Sequence, residues 1–548
     1  MPVSQTGRTL ALRNRDEQIQ GMADREFDVV VVGGGITGSG IALDCTARGL
    51  SVALVDKGDF AIGTSSRSTK LVHGGLRYLA QYQFRVTHEA LTERYVLEQL
   101  APGLVEWTPF VLPMYGSVFE MAKVGVGLVL YDTLAGGRTP NPHRRIGADE
   151  LAAMAPGLKR DRLLGAYVYS DCRTDDVRLT LEVLKTAASR GATIANHAEV
   201  TGFVKEGGRA TGVQVTDRLG GRRFVVRGRT VVLATGVWID HLLRMDDPAA
   251  PRCVRPAKGV HLVIERARFG FDVALFLPTA PDGRLVFVVP WQGATLIGTT
   301  DTDYDESIDS PLATREDCEY LLTSINNAFP EARLTMADLV SVQAGLRPLV
   351  SAGGGDTTKV SREDRIFETA SGIVAIAGGK LTTYRKMAER VTDLVVKRHV
   401  AAGHLTTAPV CATDRIGIGG FAPGPTPALG SANLPAATLE YLLKTYGRSA
   451  ATVAEIAAEQ AVLAKPIVPT LPSVMAEITY AVRHEQARTI ADALARRTHV
   501  VQLTRDQGRA VAERVGRVMA GELGWNDAEL RSQLASFETE VSQYSVPA

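Results

Sequence analysis

The sequence predicts an α/β protein built on a nucleotide-binding βαβ unit, with an antiparallel sheet inserted into it and an α-helical domain appended. Three observations carry this. A β-branched run near the N-terminus ends in a glycine-rich turn, short strands with turn signals crowd the middle of the chain, and the C-terminal stretch is helical in period.

In chain order, residues 1–26 read as a polar leader, a loosely held arm. Phe27-Asp28-Val29-Val30-Val31-Val32 has the unbroken apolar character of a strand buried on both faces. It runs into Gly33-Gly34-Gly35-Ile36-Thr37-Gly38. Ile36 to Arg48 then has helical spacing, with Ile41 and Cys45 on one face and Gly49 at the C-terminal cap. Leu50 to Val55 is a second strand, ended by Asp56, which completes the βαβ unit. Arg229 to Gly236 is another buried strand ending in small residues. Val273–Leu277, Leu285–Val289 and Thr295–Gly298 are short strands, and Asp282-Gly283 and Gln292-Gly293 between them predict antiparallel hairpins. Ile373 to Gly379 returns to the strand-into-glycine form, and a helix follows from about Thr382 to Lys397. The first domain is therefore discontinuous over residues 27–400, with the inserted sheet at about 255–345. Residues 401–437 are rich in Gly and Pro and read as a linker. Residues 438–548 are helical, with Val511, Val515, Val518 and Met519 at one face.

At 548 residues the chain has room for about three or four domain-sized units. Its 61 Lys+Arg against 60 Asp+Glu give no global pull toward nucleic acid. Five widely spaced cysteines without a C-x-x-C pair indicate neither a zinc site nor a disulfide framework, so no metal is expected and a reducing compartment fits. The most apolar run, Val124 to Tyr131, is far short of the roughly 20 residues that span a bilayer, although a chain can still lie on one. Val124 to Leu134 reads either as a lipid-docking segment or as an ordinary buried helix. Arg483 to Arg497 reads as a solvated cationic helix face or as a contributor to attraction by an anionic membrane.

Gly33, Gly35 and Gly38 satisfy the G-x-G-x-x-G fingerprint, in which glycines permit the turn, backbone approach to a pyrophosphate, and close helix–strand packing. Asp56 stands where a carboxylate binds ribose hydroxyls. Further glycine-bearing stretches at Gly63–Ser68, Ala234-Thr235-Gly236 and Gly378–Thr383 favour a cofactor threaded through the whole domain, FAD over NAD.

The run Thr64-Ser65-Ser66-Arg67-Ser68-Thr69-Lys70-Leu71-Val72-His73-Gly74-Gly75-Leu76-Arg77-Tyr78-Leu79 closely resembles the FAD-dependent, quinone-linked glycerol-3-phosphate dehydrogenases. The likeness continues through Gly298-Thr299-Thr300-Asp301, Gly345-Leu346-Arg347-Pro348-Leu349, Gly379-Lys380-Leu381-Thr382-Thr383-Tyr384-Arg385 and Tyr480–Glu485. It implies a glutathione-reductase-like FAD-binding domain, an antiparallel substrate domain and a helical C-terminal cap. It also implies oxidation of glycerol 3-phosphate to dihydroxyacetone phosphate, electrons passing to a membrane quinone, and peripheral attachment to membrane lipid on the inner, cytoplasmic face. No nucleic-acid partner is expected, and the oligomeric state stays open, a homodimer included. Asp56 departs from the Glu usual in these flavoproteins.

The resemblance places the substrate at Arg77, Tyr78, His261 and Arg347, with Lys380 in the flavin-proximal turn. Cofactor contacts are expected at Gly33, Gly35, Gly38, Asp56, Thr64, Ser65, Ser66, Lys70 and Gly75. Val200, Ala234, Thr235, Gly236, Gly379, Lys380, Leu381 and Thr382 complete the set. His261 is the expected general base, since an imidazole accepts a proton near neutrality, and His73 is the rival. Arg77 and Arg347 form the phosphate clamp, a task suited to a planar guanidinium. Lys380 polarises the flavin N1–O2 edge or touches phosphate. Arg173-Thr174-Asp175-Asp176-Val177-Arg178 also resembles a family segment and reads as a helix N-cap at Thr174 or Asp175 ahead of a direct catalytic role. Other readings of the same likeness are a glycerol-3-phosphate oxidase that reduces dioxygen, a flavin-binding regulatory protein without turnover, and a sister enzyme acting on an amino or hydroxy acid.

Overall fold

A computed structural model describes residues 11–12, 14–278, 282–351, 364–429 and 433–548. The Glu26–Val32 strand lies inside an eight-stranded sheet of the described residues. Both of its faces are apolar. Val29 and Val31 pack into one core, under helices Ile36–Ala47, Asp176–Ser189 and Tyr384–Ala401, while Val30 and Val32 pack into another on the opposite face. The strand is flanked by Val52–Val55 and Arg223–Leu233, both parallel to it, with Val30 opposite Ala53 and Val231. Val374–Ala377 extends the parallel sheet beyond Arg223–Leu233, and Thr193–Ala195 extends it beyond Val52–Val55.

A second sheet of ten strands carries the predicted hairpins. Ala274–Leu277, Val286–Trp291 and Ala294–Gly298 pair antiparallel, and the last two are joined by Gln292 and Gly293, both at positive φ as a tight two-residue hairpin requires. The sheet is larger than the expected 255–345 insert. Val105–Tyr115 and Leu163–Thr174 pair along their whole lengths, and Leu71–Val72 and Arg144–Ile146 also join. Pro109 and Pro113 disguise the Val105–Tyr115 strand, because proline ordinarily argues against a strand interior.

The N-terminal segment is not a loose arm where it is described. Helix Arg15–Ala23 sends Ile19 and Met22 into the second core, and the buried Arg15 guanidinium meets Asp217 Oδ1 at 2.6 Å and Asn196 O at 2.8 Å. Residues 1–10 lie outside the described residues. The Gly/Pro-rich linker is likewise strapped down. Gly419 N donates to Thr186 Oγ1 and Gly420 N to Glu182 Oε2, each at 2.8 Å, while Ile418 and Phe421 enter the first core.

The C-terminal helices share their own core, and they are fixed to the first domain by buried charge. Asp59 receives Arg496 Nε at 2.6 Å and Arg497 Nη1 at 2.7 Å, and Glu485 pairs with Arg178. The Arg483–Arg497 stretch is therefore not a solvated face. Its last two arginines are buried because they answer carboxylates of the neighbouring domain. Asp59, His197 and Asp492 are grouped as metal ligands often are, but Arg496 reaches both carboxylates and Arg497 reaches Asp59. Removing one member of a buried pair strands the other. Asp59→Ala should cost about 3–5 kcal/mol, seen as a lower denaturant midpoint for the C-terminal domain. An unchanged midpoint would mean that this network does not hold the domains together.

Candidate active site

The carboxyl end of the Glu26–Val32 strand opens into a cavity of about 600 Å³. Gly33 has φ 111°, and a Cβ on it would press against the Ala234 carbonyl. At Gly38 a Cβ would collide with the Gly33 carbonyl oxygen, so glycine is what lets helix Ile36–Ala47 start against the strand. Gly35 caps that helix, and Ser65 Oγ accepts from Ile36 N at 3.0 Å. The positive helix terminus thus faces the cavity, where a pyrophosphate is stabilised.

Asp56 lies at the same end. Its Oδ2 accepts from Gly34 N at 2.6 Å and its Oδ1 from Gly58 N at 2.9 Å. Burial pushes its carboxyl up to about 6, against the pull of those two donors. Each oxygen keeps a further lone pair for a ribose hydroxyl. Thr235 Oγ1, also on the cavity wall, is buried and has no hydrogen-bond partner among the described residues. Glycine cradle, carboxylate and unanswered hydroxyl together fit a bound dinucleotide.

The other wall comes from the second sheet. Val254–Glu265 carries His261, and its antiparallel neighbour Leu339–Val350 carries Arg347. Two glycines clear the space these side chains fill. A Cβ at Gly298 would strike the His261 ring, and one at Gly259 would fall 2.5 Å from Arg347 Nη2. Arg347 is aimed by Asp301 Oδ1 at 3.1 Å and Thr299 Oγ1 at 3.0 Å. His261 is 2% exposed, and its Nε2 lies 2.9 Å from Thr69 Oγ1. Burial, with the Arg347 and Lys70 charges alongside, pushes the imidazole down to about 3. Lys380 Nζ sits 3.6 Å from the centroid of the Tyr78 ring, a close cation–π contact. Gly75, at φ 74°, leaves room for that ring to fold back.

His261, Arg347, Tyr78, Lys380, Gly33, Gly35 and Asp56 all line this one cavity. So do Thr64, Ser65, Val200, Ala234, Thr235, Gly236, Gly379, Leu381 and Thr382, and the rival base His73. Gly38, Ser66, Lys70 and Gly75 stand behind its surface. Lys70 Nζ is spent on Asp176 at 2.5 Å and on Ser66 O at 2.6 Å. Arg77 belongs to helix Leu76–Ala80, and its side chain lies outside the described residues. Asp175 caps helix Asp176–Ser189 through Arg178 N at 2.9 Å, as its spacing predicts. Sequence reasoning did not assign roles to Thr69 and Asp301, although both sit in the resembling motifs. It also passed over Lys57, Trp238 and Asp309, which pair on the cavity rim (Lys57 Nζ to Asp309 Oδ1, 2.5 Å; Trp238 Nε1 to the same oxygen, 2.7 Å). A tryptophan two residues after Gly236 was the available signal.

A family model described as FAD dependent oxidoreductase matches residues 28–394, and one described as the C-terminal domain of alpha-glycerophosphate oxidase matches residues 375–530. The chain is 36% identical to the aerobic glycerol-3-phosphate dehydrogenase of Staphylococcus saprophyticus, covering 98% of each chain. It is 39% identical to the enzyme of the same name from Bacillus subtilis, over 88% of this chain and 89% of that one. Among solved structures, the glycerol-3-phosphate dehydrogenase of Bacillus halodurans complexed with FAD superposes with a TM-score of 0.80 at 33% identity, covering 98% of each chain.

The glycine turn gives a direct check. Gly38→Ala forces a Cβ into the Gly33 carbonyl, so the purified variant should lack the visible absorbance of a flavin that the parent protein carries. Full flavin content in that variant would contradict the turn as the cofactor cradle.

Proposed function

The chain belongs to the family of FAD-dependent glycerol-3-phosphate dehydrogenases, and from that premise we propose that it oxidises sn-glycerol 3-phosphate to dihydroxyacetone phosphate, with FAD as hydride acceptor and a membrane quinone as the final electron acceptor. The observation that supports this most is a single cavity with the glycine cradle on one wall and Arg347 beside His261 on the other. A phosphomonoester dianion needs a fixed cation, and Arg347 offers a guanidinium already aimed by Asp301 and Thr299. Arg77 is the second cation expected in the phosphate clamp, and Lys380 Nζ lies against the Tyr78 ring on the wall of the same cavity.

His261 takes the substrate hydroxyl proton. On its own it is a weak base, because burial and two nearby cations hold it near 3. A dianion held by Arg347 places negative charge beside the imidazole and raises its proton affinity as the substrate arrives. Alcohols without phosphate therefore lose basicity at the site as well as binding.

Anaerobic glycerol 3-phosphate should bleach the flavin. Arg347→Ala should mostly raise KM, because it removes a contact present before reaction. His261→Ala should keep FAD and lower the bleaching rate by about 10²–10⁴-fold, the range a general base supplies. Persistent yellow colour with excess substrate would favour a non-catalytic flavoprotein. Peroxide equal to substrate consumed, with quinone present, would favour the oxidase.

Peripheral attachment to the cytoplasmic membrane face is part of the same reading. No helix of the described residues is long and apolar enough to cross a membrane. Helix Val118–Ala135 turns Val118, Phe119, Val126 and Val129 outward, each more than half exposed, with Lys123 beside them. Tyr82, in the turn ahead of helix Phe84–Leu100, and Phe84, the first residue of that helix, are also exposed, and the helix packs on Val118–Ala135 through His88 Nδ1 to Leu134 O at 3.0 Å. An apolar face of this kind suits the headgroup–acyl boundary. Phe119→Ser with Val126→Ser should reduce co-sedimentation with anionic lipid vesicles and leave flavin bleaching intact. Undiminished vesicle binding would assign the contact elsewhere.

A further inference from the structure

The Gln343 side chain is 1% exposed, and neither its Oε1 nor its Nε2 has a hydrogen-bond partner among the described residues. Burying a carboxamide with both ends unanswered is unfavourable, so such a group in a native protein calls for a reason. Its register supplies one. Gln343 stands directly opposite His261 across the antiparallel pair formed by Val254–Glu265 and Leu339–Val350. Directly paired residues project to the same face, with Cβ atoms about 5 Å apart. Gly345 and Arg347 line the cavity from that face, which puts Gln343 one step behind the cavity wall.

The imidazole is turned to meet it. Gly298 flanks His261 from the other side, on strand Ala294–Gly298, and the ring atoms nearest a Cβ there are Cδ2, Nε2 and Cγ. The Cδ2–Nε2 edge therefore leans toward Gly298, and Nδ1 is turned toward the Gln343 strand. Nε2 is met by Thr69 Oγ1 at 2.9 Å, whereas Nδ1 is buried and has no partner among the described residues.

Taking His261 as the base, as in the function proposed above, we propose that Gln343 is a positioning residue: its carboxamide, which the structure leaves short of a hydrogen bond to the ring, turns so that its oxygen accepts the Nδ1 proton of His261, leaving the lone pair on Nε2. A neutral imidazole carries one proton, and an acceptor fixed on one nitrogen makes the other the base. The Thr69 hydroxyl, 2.9 Å from Nε2, gives its proton to that atom as it takes the one from the substrate hydroxyl, and the same carbonyl stabilises the resulting imidazolium through Nδ1–H. Among the described residues no carboxylate holds that place. The charged groups on the elements around His261 are Arg347, paired with Asp301, and Lys70, paired with Asp176. Arg67 bonds to Ala344 O, and Lys258 of the same strand pairs with Asp317. A neutral acceptor favours the protonated ring without adding a further buried charge.

The test compares Q343L, Q343E and H261N in the FAD-loaded protein, following anaerobic flavin reduction by glycerol 3-phosphate across pH. Q343L should keep FAD and KM and lose limiting rate on the order of tenfold, part of the roughly 10²–10⁴ a general base supplies. Its acid limb should move to lower pH, because the imidazolium loses an acceptor. Q343E keeps the side-chain shape and sets a carboxylate on Nδ1, so its acid limb should move to higher pH. A purely structural role would not move the two limbs in opposite directions. Parental rate and pH profile in Q343L, with H261N inactive, would overturn this proposal and spare the base assignment. Full activity in H261N would overturn both.

Discussion

The buried pair between Lys70 and Asp176 is the joint on which the site is assembled. Lys70 holds a positive φ, and its Nζ reaches Asp176 Oδ1 at 2.5 Å and the Ser66 carbonyl at 2.6 Å. Its own carbonyl accepts from Thr174 N at 2.9 Å, at the end of a strand of the second sheet. Asp176 in turn receives Ser68 Oγ at 2.7 Å and begins the helix that packs against the Ile36–Ala47 helix of the glycine turn. One ion pair thus sets the path of residues 64–72, which bring Thr64 and Ser65 to the cofactor end and Thr69 to His261. Breaking such a pair leaves an uncompensated charge, worth about 3–5 kcal/mol, and here it would also release both halves of the site. Lys70 is therefore better understood as a structural cation behind the cavity than as a cofactor ligand.

Around His261 the electrostatics are one-sided in a useful way. Arg347 and Lys70 both depress the imidazole, and their own carboxylates, Asp301 and Asp176, are placed on them. On the proposed function a phosphorylated substrate brings a further anion to this place, so recognition of the phosphate and strengthening of the base would be a single electrostatic event. A carboxylate built in beside the ring would give a stronger base at all times, but it would also repel the substrate dianion.

Much of this was legible in the sequence, and the reasons for the failures are specific. Val29 to Gly38 announced the first strand and its cradle because period, β-branching and glycine placement agree there. His261 and Arg347 were singled out through the family resemblance, and the structure places them on two neighbouring strands. The extent of the second sheet was hidden, since Val105–Tyr115 carries two prolines and pairs with strands far along the chain. Arg496 and Arg497 were misread because composition cannot tell a solvated arginine from one answered by Asp59. Val124 to Leu134 was open between a lipid-docking segment and a buried helix, and the structure gives features of both, with Leu128 and Tyr131 buried and Val126 and Val129 exposed. Gln343 gave no sequence signal at all, as its interest lies in register opposite His261.

The C-terminal helices might be taken for a separate cap, but their contacts make them a rear wall of the active site. Gln502 O accepts from Ser341 Oγ at 2.7 Å, two residues from Gln343 on the same strand. Gln543 Oε1 receives Arg67 Nη2 at 2.8 Å, while Arg67 Nη1 donates to Ala344 O at 3.0 Å. His499 Nε2 meets Asp175 Oδ2 at 2.6 Å, next to the Lys70–Asp176 joint, and its ring packs edge-on against Trp291. The strand that bears Gln343 and Arg347 is thus held from behind by residues far along the chain. A strand clamped on both sides keeps its side chains in one geometry, and proton transfer tolerates little misplacement. On the proposed function the helical domain therefore takes part in the chemistry, because its docking holds the strand that bears Gln343 and Arg347.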